Sequence, residues 1–200
     1  QFGTLTQWLL HLINIYTGNL DREGGVLSND AVIPLTGPGT PAGARGRWKS
    51  RVRGLLEFGG ELPVAALVEE IETPGIGQIR ALLTSAGNPV LSTPNGVALE
   101  RALGKLDFMV CVDMYLNETT RHANLILPPA SPFTQHHYDL IFNAFAVRRV
   151  ARVNVPLWEK AADERADWEI FNGLGAAYAQ AAGKPFGALP EPVAVIGEAL

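Results

Sequence analysis

Asn88 stands in Ser85-Ala86-Gly87-Asn88-Pro89, directly behind the apolar run Ile79-Arg80-Ala81-Leu82-Leu83-Thr84 and shortly ahead of Ser92-Thr93-Pro94-Asn95. A strand-like run that breaks at Gly-Asn-Pro and restarts as a Pro-initiated helix describes a strand, a tight loop and a helix N-terminus. That arrangement gathers free backbone N–H groups and one carboxamide at the carboxyl edge of a sheet, where α/β proteins bind ligands.

Other reactive residue types are sparse. The single cysteine, Cys111, cannot form an internal disulfide, and one thiol cannot build an iron–sulfur cluster or a cysteine-based zinc site. It lies in Phe108-Met109-Val110-Cys111-Val112-Asp113, a buried-strand pattern, so core packing is expected of it. His136 and His137 are adjacent, their side chains diverge, and no acidic partner is placed beside them, so they read as surface histidines. Arg45, Arg47, Lys49, Arg51 and Arg53 crowd one stretch, which reads as a solvated basic loop rather than a phosphate clamp. No G-x-G-x-x-G follows a strand, and neither a G-x-S-x-G elbow nor a P-loop lysine motif is present.

The bulk numbers agree with a folded chain. Of 200 residues, 47% are hydrophobic and 18% charged, a globular balance able to bury a core. A net charge of −4 advertises no nucleic-acid or anionic-membrane surface, so neither partner is expected. No run approaches the ~20 apolar residues of a membrane span. Gln7, His11 and Asn14 interrupt the first helical stretch, which argues against a secretory leader, and a cytoplasmic location is expected. The opening Gln1-Phe2-Gly3 has no initiator methionine, so the chain is expected to belong to something longer.

Periodicity supplies the elements that position these residues. Leu5, Trp8, Leu9, Leu12, Ile13 and Tyr16 predict an amphipathic helix over 4–17, stopped at Gly18-Asn19. Residues 28–60, including the Gly/Pro-rich 36–43, predict a long loop. A helix opens at Leu62-Pro63 with Val64, Leu67, Val68 and Ile71 inward, and Thr73-Pro74-Gly75 ends it. Strand 79–84, helix 94–103, strand 108–112, a short helix over 117–121 and strand 124–127 then follow. Residues 144–155 alternate loosely, and 163–182 form a helix with Trp168, Phe171, Leu174 and Tyr178 on one face. From Gly183 the tail is rich in Pro and Gly up to Pro192 and carries no clear signal after it. Crossovers of about twenty residues favour parallel pairing. The expected fold is α/β, three-layered, with a Rossmann-like, mostly parallel sheet between helices. Its expected organisation is a helix plus long loop over 1–60 packing on the main domain, an α/β domain over 61–182, and a tail over 183–200.

Taken together these pieces resemble one family. Thr17-Gly18-Asn19-Leu20-Asp21-Arg22-Glu23-Gly24-Gly25 resembles the TGN–x–x–x–x–GG stretch of the molybdopterin-dependent oxidoreductases related to formate dehydrogenases, periplasmic nitrate reductases and DMSO reductases. The run from Ile79 to Pro89 is similar to that family's strand ending in GNP. Phe108 to Asp113, Glu118-Thr119-Thr120 and Asn124-Leu125-Ile126-Leu127-Pro128 look like its DxxxTET–x–x–ADVVLP signature, and Ala166-Asp167-Trp168 matches a DW helix start. Asn124 departs from the aspartate of that signature, and Gln135-His136-His137 from the E–x–x–G that commonly follows the Pro-rich turn.

The resemblance implies the third, α/β domain of such an enzyme, which grips one of two molybdopterin guanine dinucleotides carrying molybdenum or tungsten. It implies that Asn88 contacts the nucleotide, that Asp113 accepts hydrogen bonds from guanine beside the backbone of Val112, and that Gln135 and Asp167 lie near the cofactor. For Asp113 the competing role is a strand-end cap, for Asn88 a turn residue, and for Asp167 an ordinary helix N-cap. The metal ligand, the iron–sulfur cysteines and the second pterin's pocket would come from elsewhere in the full-length protein. The implied partners are the remaining domains of the same polypeptide and electron-transfer subunits, and the isolated chain is expected to be inactive. The alternative is the metal-free scaffold and electron conduit of respiratory NADH dehydrogenases.

Overall fold

A computed structural model describes residues 2–27, 31–34 and 45–199. In chain order the elements are α1 (Gly3–Tyr16), β1 (Arg45–Lys49), β2 (Leu56–Phe58), α2 (Leu67–Glu72), β3 (Ala81–Ser85), α3 (Pro89–Ser92), α4 (Gly96–Leu103) and β4 (Phe108–Val112). They continue with β5 (Leu125–Leu127), β6 (His137–Tyr138), α5 (Leu140–Ala144), β7 (Val153–Asn154), α6 (Asp167–Ala181) and α7 (Pro192–Ala199). These fall into two compact units, one drawn from 45–136 and 155–192, the other from 2–34, 137–154 and 193–199.

The larger unit is the expected mixed α/β fold. β3, β4 and β5 form a parallel sheet in that order, with Ala81 opposite Phe108, Ser85 opposite Val112, and Val112 opposite Leu127. β4 is central and reads as an unbroken apolar run because both its faces are covered. On one face Leu82, Met109, Cys111 and Ile126 pack with Ile71, Val90, Leu99 and Leu103 from α2, α3 and α4. On the other, Leu83, Phe108 and Val110 line an apolar groove with Phe171, Leu174 and Tyr178 of α6. Cys111 is core, as its strand pattern predicts; burial pushes its thiol up, and Thr84 Oγ1 sits 2.9 Å from its sulfur.

Residues 45–58 are not loop. β1 pairs antiparallel with β2, and three cations of the basic stretch, Arg47, Arg51 and Arg53, are paired with acids, while Arg45 and Lys49 stay exposed. The alternation of this hairpin is inverted: Glu57 is fully buried while Leu56 and Phe58 face outward. Arg47 closes on Glu57 at 2.6 Å, and the N–H groups of Arg47 and Gly60 add bonds of 3.1 and 2.6 Å. Arg51 pairs with Glu70 at 3.3 Å and Arg53 with Glu69 at 2.5 Å, which ties the hairpin to α2. A hydrophobicity pattern cannot reveal a hairpin whose inward side chain is a carboxylate. The Gly/Pro-rich 36–43 lies outside the described residues.

In the second unit α1 forms where the 3.6-residue period places it, yet buries none of its residues. The Thr17–Gly25 motif closes on itself: Val26 N–H donates to the Asn19 carbonyl at 2.7 Å, and a Cβ on Gly25 would fall 2.1 Å from that same oxygen. β6 and β7 pair antiparallel around α5, so only the end of 144–155 is extended. The tail beyond Pro192 is helical, with the proline in the first turn.

Two outcomes follow from packing and charge. A Cβ at Gly96 would lie 1.8 Å from the Val90 carbonyl oxygen, where α3 meets α4. Gly96→Ala therefore forces backbone apart and is expected to lower stability by about 1–3 kcal/mol in urea unfolding. The Arg47 guanidinium, helped by the two N–H groups and against the cost of burial, holds the Glu57 carboxyl at about 2. Its stabilisation is thus present above the ordinary carboxylate range and lost as pH falls from about 4.5 toward 2. The urea midpoint of the wild type should exceed that of Glu57→Gln at pH 7, and the gap should close across that window.

Candidate site at the carboxyl end of the sheet

The shared register of β3 and β4 ends both strands at one level, and the pairing runs one residue further, with Ala86 N–H donating to the Val112 carbonyl at 2.9 Å. Ala86 then turns through φ 49°, a left-handed conformation a Cβ disfavours. Past that turn the loop behind β3 and the loop behind β4 open a cleft of about 310 Å³ between them. Gly87, Asn88, Val112, Asp113, Asn117 and Pro129 line it. The volume lies within the usual range of small-molecule pockets.

Asn88 caps nothing with its side chain; α3 begins at Pro89 instead. Its Nδ2 donates to Glu118 Oε2 at 2.7 Å, and its Oδ1 accepts from Thr119 Oγ1 at 2.7 Å. Thr119 is fully buried, and its Oγ1 also accepts from Val90 N–H at 3.1 Å. The Asn88 bond holds the Glu118 carboxyl below the ordinary range. Each end of the Asn88 carboxamide keeps one further hydrogen-bonding position.

Asp113 is buried, and its Oδ1 accepts from Tyr115 N–H at 2.9 Å, an Asx-type turn of the kind a strand-end aspartate makes. Its Oδ2 accepts from Asn117 Nδ2 at 3.3 Å. Asn117 Oδ1 in turn accepts from the N–H groups of Thr119 and Thr120, each at 2.9 Å. A continuous polar chain thus runs Asp113–Asn117–Thr119–Asn88. The structure brings Asn88, Val112 and Asp113 to one cleft; the Val112 carbonyl is already occupied by Ala86 N–H.

Gln135 and Asp167 stand outside the lining of that cleft. Gln135 Nε2 donates to the Ala130 carbonyl at 2.7 Å, and Ala130 N–H donates to the Arg165 carbonyl at 2.7 Å, so the Pro-rich turn is tied to the approach to α6. Asp167 is the first residue of α6, not its N-cap, which is Ala166. Ala166 has no side-chain acceptor, and Glu169 Oε2 accepts from its N–H at 2.7 Å. Asn124 binds β4 locally, where its Oδ1 accepts from Met109 N–H at 2.7 Å while its own N–H donates to the Met109 carbonyl at 2.8 Å. His136 lies 3.5 Å from Glu191 and His137 3.8 Å from Asp139, both on the surface. Among the described residues no three His, Cys, Asp or Glu groups are arranged to hold a metal, and no helix is long and apolar enough to cross a membrane.

The stretch 117–121, which reads as a short helix in the sequence, is mostly irregular; only residues 120–122 make a helical turn. Asn117, the link between the two tips, is not among the residues that the sequence pattern singles out. The available signal is the dense polar run Asn117-Glu118-Thr119-Thr120 directly after a buried strand, where hydroxyls need internal partners.

A family model described as molybdopterin oxidoreductase matches residues 3–177. The assimilatory nitrate reductase catalytic subunit of Bacillus subtilis is 36% identical over 63 residues, 32% of this chain and 9% of that protein. The arsenate respiratory reductase molybdopterin-containing subunit of a Shewanella species is 27% identical over 186 residues, covering 81% of this chain and 21% of that one. The F420-dependent formate dehydrogenase 1 subunit alpha of Methanococcus maripaludis is 30% identical over 97 residues, 48% of this chain and 14% of that protein. This chain therefore spans about a tenth to a fifth of the length of these relatives.

The buried Thr119 hydroxyl carries the bracket around Asn88. Thr119→Val keeps the shape but leaves Val90 N–H and Asn88 Oδ1 without that partner, and is expected to cost about 1–3 kcal/mol in urea unfolding. Proton–deuteron exchange at Val90 N–H should accelerate in the same variant.

Proposed function

The chain belongs to the molybdopterin oxidoreductase family, and from that membership we propose that its α/β unit is the segment of a larger oxidoreductase that grips the guanine end of a molybdopterin guanine dinucleotide. The observation that carries the reading is the convergence of Asn88 and Asp113 on one cleft at the carboxyl end of a parallel sheet.

The donor and acceptor chemistry of the cleft suits a purine with adjacent N–H donors. Asp113 presents a buried carboxylate at which each oxygen accepts one internal bond and keeps a further lone pair. A carboxylate matches two neighbouring N–H groups as a paired, charge-assisted acceptor. Asn88 adds one free N–H and one free lone pair, and Gly87 lets the ligand approach the backbone. The acid Glu118 beside Asn88 disfavours a phosphate at that side chain, so the base is the end assigned to this cleft. Gln135 and Asp167, reached through Ala130 and Arg165, belong to the same reading as groups nearer the remainder of the cofactor.

When bound, the cofactor's molybdenum or tungsten would supply two-electron chemistry. The residues of this chain hold and orient; none of them reacts. We assign the metal ligand, iron–sulfur clusters, substrate pocket and electron-transfer partners to the rest of the polypeptide and its subunits, and the isolated chain no turnover. Two features support the segment reading: the fraction of each relative that the chain covers, and the outward apolar side chains of α1, among them Trp8, Leu9 and Ile13.

Calorimetric titration with guanosine and adenosine diphosphates tests the assignment. The wild-type chain should prefer the guanosine nucleotide. Asp113→Asn retains an acceptor for Tyr115 N–H and should fold, yet lose roughly tenfold or more of that preference as a charge-assisted pair is removed. Equal wild-type affinity for the two nucleotides, or an undiminished preference in the variant, rejects the role given to Asp113.

A further inference from the structure

We infer that Asn117 is a positioning residue that fixes the plane of the Asp113 carboxylate, and that this orientation, rather than the mere presence of the acid, sets discrimination for guanine. The inference rests on the reading of the cleft given above.

Asn117 is held so that its amide has one direction open to it. Its Oδ1 accepts from both Thr119 and Thr120 N–H groups, each at 2.9 Å, which uses the two lone pairs of that oxygen. With the oxygen pinned, Nδ2 points the opposite way, and there it meets Asp113 Oδ2 at 3.3 Å. The backbone of Asn117 is fixed as well, because its N–H donates to Thr120 Oγ1 at 2.8 Å and that hydroxyl donates to the Tyr115 carbonyl at 2.8 Å. Asp113 is thereby gripped at both oxygens, by Tyr115 N–H on Oδ1 and by Asn117 on Oδ2. Two grips define a plane; one leaves the carboxylate free to swing.

Paired acceptance from two adjacent donors requires that plane. A carboxylate free to rotate meets one donor well and the other poorly, and must give up its freedom on binding. The bond from Asn117, at 3.3 Å, lies just beyond the usual N–H···O range; it takes one lone pair of Oδ2 and leaves the other for a ligand. The same residue reaches the opposite tip, since Thr119, whose N–H it accepts, donates its hydroxyl to Asn88. Asn117 consequently sets both polar groups of the cleft relative to one another.

The test separates orientation from architecture. Asn117→Asp keeps an oxygen for the Thr119 and Thr120 N–H groups but sets a second acceptor against Asp113 Oδ2. Asn117→Ser keeps a hydroxyl acceptor for the turn and lacks the reach to Asp113. The probes are guanosine diphosphate and inosine diphosphate, which differ only by the exocyclic amino donor. The wild-type chain should favour guanosine diphosphate by about tenfold. In both variants the ratio should fall to about one to three while a single cooperative melting transition is retained, at a lower temperature in Asn117→Asp, where two carboxylates meet, than in Asn117→Ser. A ratio that survives in the variants, an equal loss of affinity for both nucleotides, or failure of both variants to fold overturns the inference and leaves Asn117 a structural residue. A wild-type chain with no guanosine preference overturns the guanine reading itself.

Discussion

Everything at the site depends on the register between β3 and β4. Ser85 lies opposite Val112, and Ala86 N–H extends the ladder to the Val112 carbonyl, so both chains leave the sheet at the same height. A one-residue slip would turn Met109 and Cys111 away from α2, α3 and α4 toward α6, and bring the larger Phe108 under the tightly packed side instead. The core therefore forbids the slip, and by forbidding it fixes where Asn88 and Asp113 emerge. Packing of apolar side chains, a non-directional force, is converted by the pleat into the placement of two polar groups.

Two buried polar devices complete the larger unit, and they act differently. Glu57 is enclosed in the β1–β2 hairpin with Arg47 half-exposed above it, and four N–H contacts satisfy its oxygens. Such a pair is costly to break, but it is weak evidence of net stabilisation, because a matched apolar pair does as well. It specifies one hairpin alignment. The Thr119–Asn117 chain instead saturates hydroxyl and amide groups that the fold has to bury behind β4. Low local dielectric strengthens each of its bonds and makes any vacancy expensive, so the loops at the cleft behave as one unit.

Much of this was legible in the chain itself. Phe108–Val112 announced a buried strand by its unbroken apolar run, and Cys111 a core position, because each rests on local burial rules. The single helix expected over 94–103 is instead two, Pro89–Ser92 and Gly96–Leu103, so the turn at Asn88-Pro89 that reads as loop already begins a helix. The family was legible through ordered motifs, and its model spans residues 3–177. The hairpin at 45–58 was not, since its inward residue is a carboxylate and its apolar residues face outward, the reverse of the signal that periodicity detects. The partners of Arg47, Arg51 and Arg53 were equally hidden, because an arginine cluster has the same composition whether solvated or paired. Asn117 is hidden for a third reason. Its importance lies in which amide end faces which neighbour, and spacing along a chain carries no such information.

Ala86 shows how far the cleft departs from the easiest local conformation. Its φ of 49° costs about 1 kcal/mol for a residue with a Cβ, and glycine would avoid that cost. The neighbouring Gly87 is not in the left-handed region, so the strain has not been moved onto the residue that would bear it freely. What holds Ala86 there is visible on either side: its own N–H is spent on Val112, and two residues on, Asn88 is clamped between Glu118 and Thr119. Alanine also narrows the conformations open to the unfolded loop, which offsets part of the cost. A loop strained at one residue and clamped at both ends has few alternative shapes. The order that a ligand would otherwise have to impose on binding is then present before any ligand arrives.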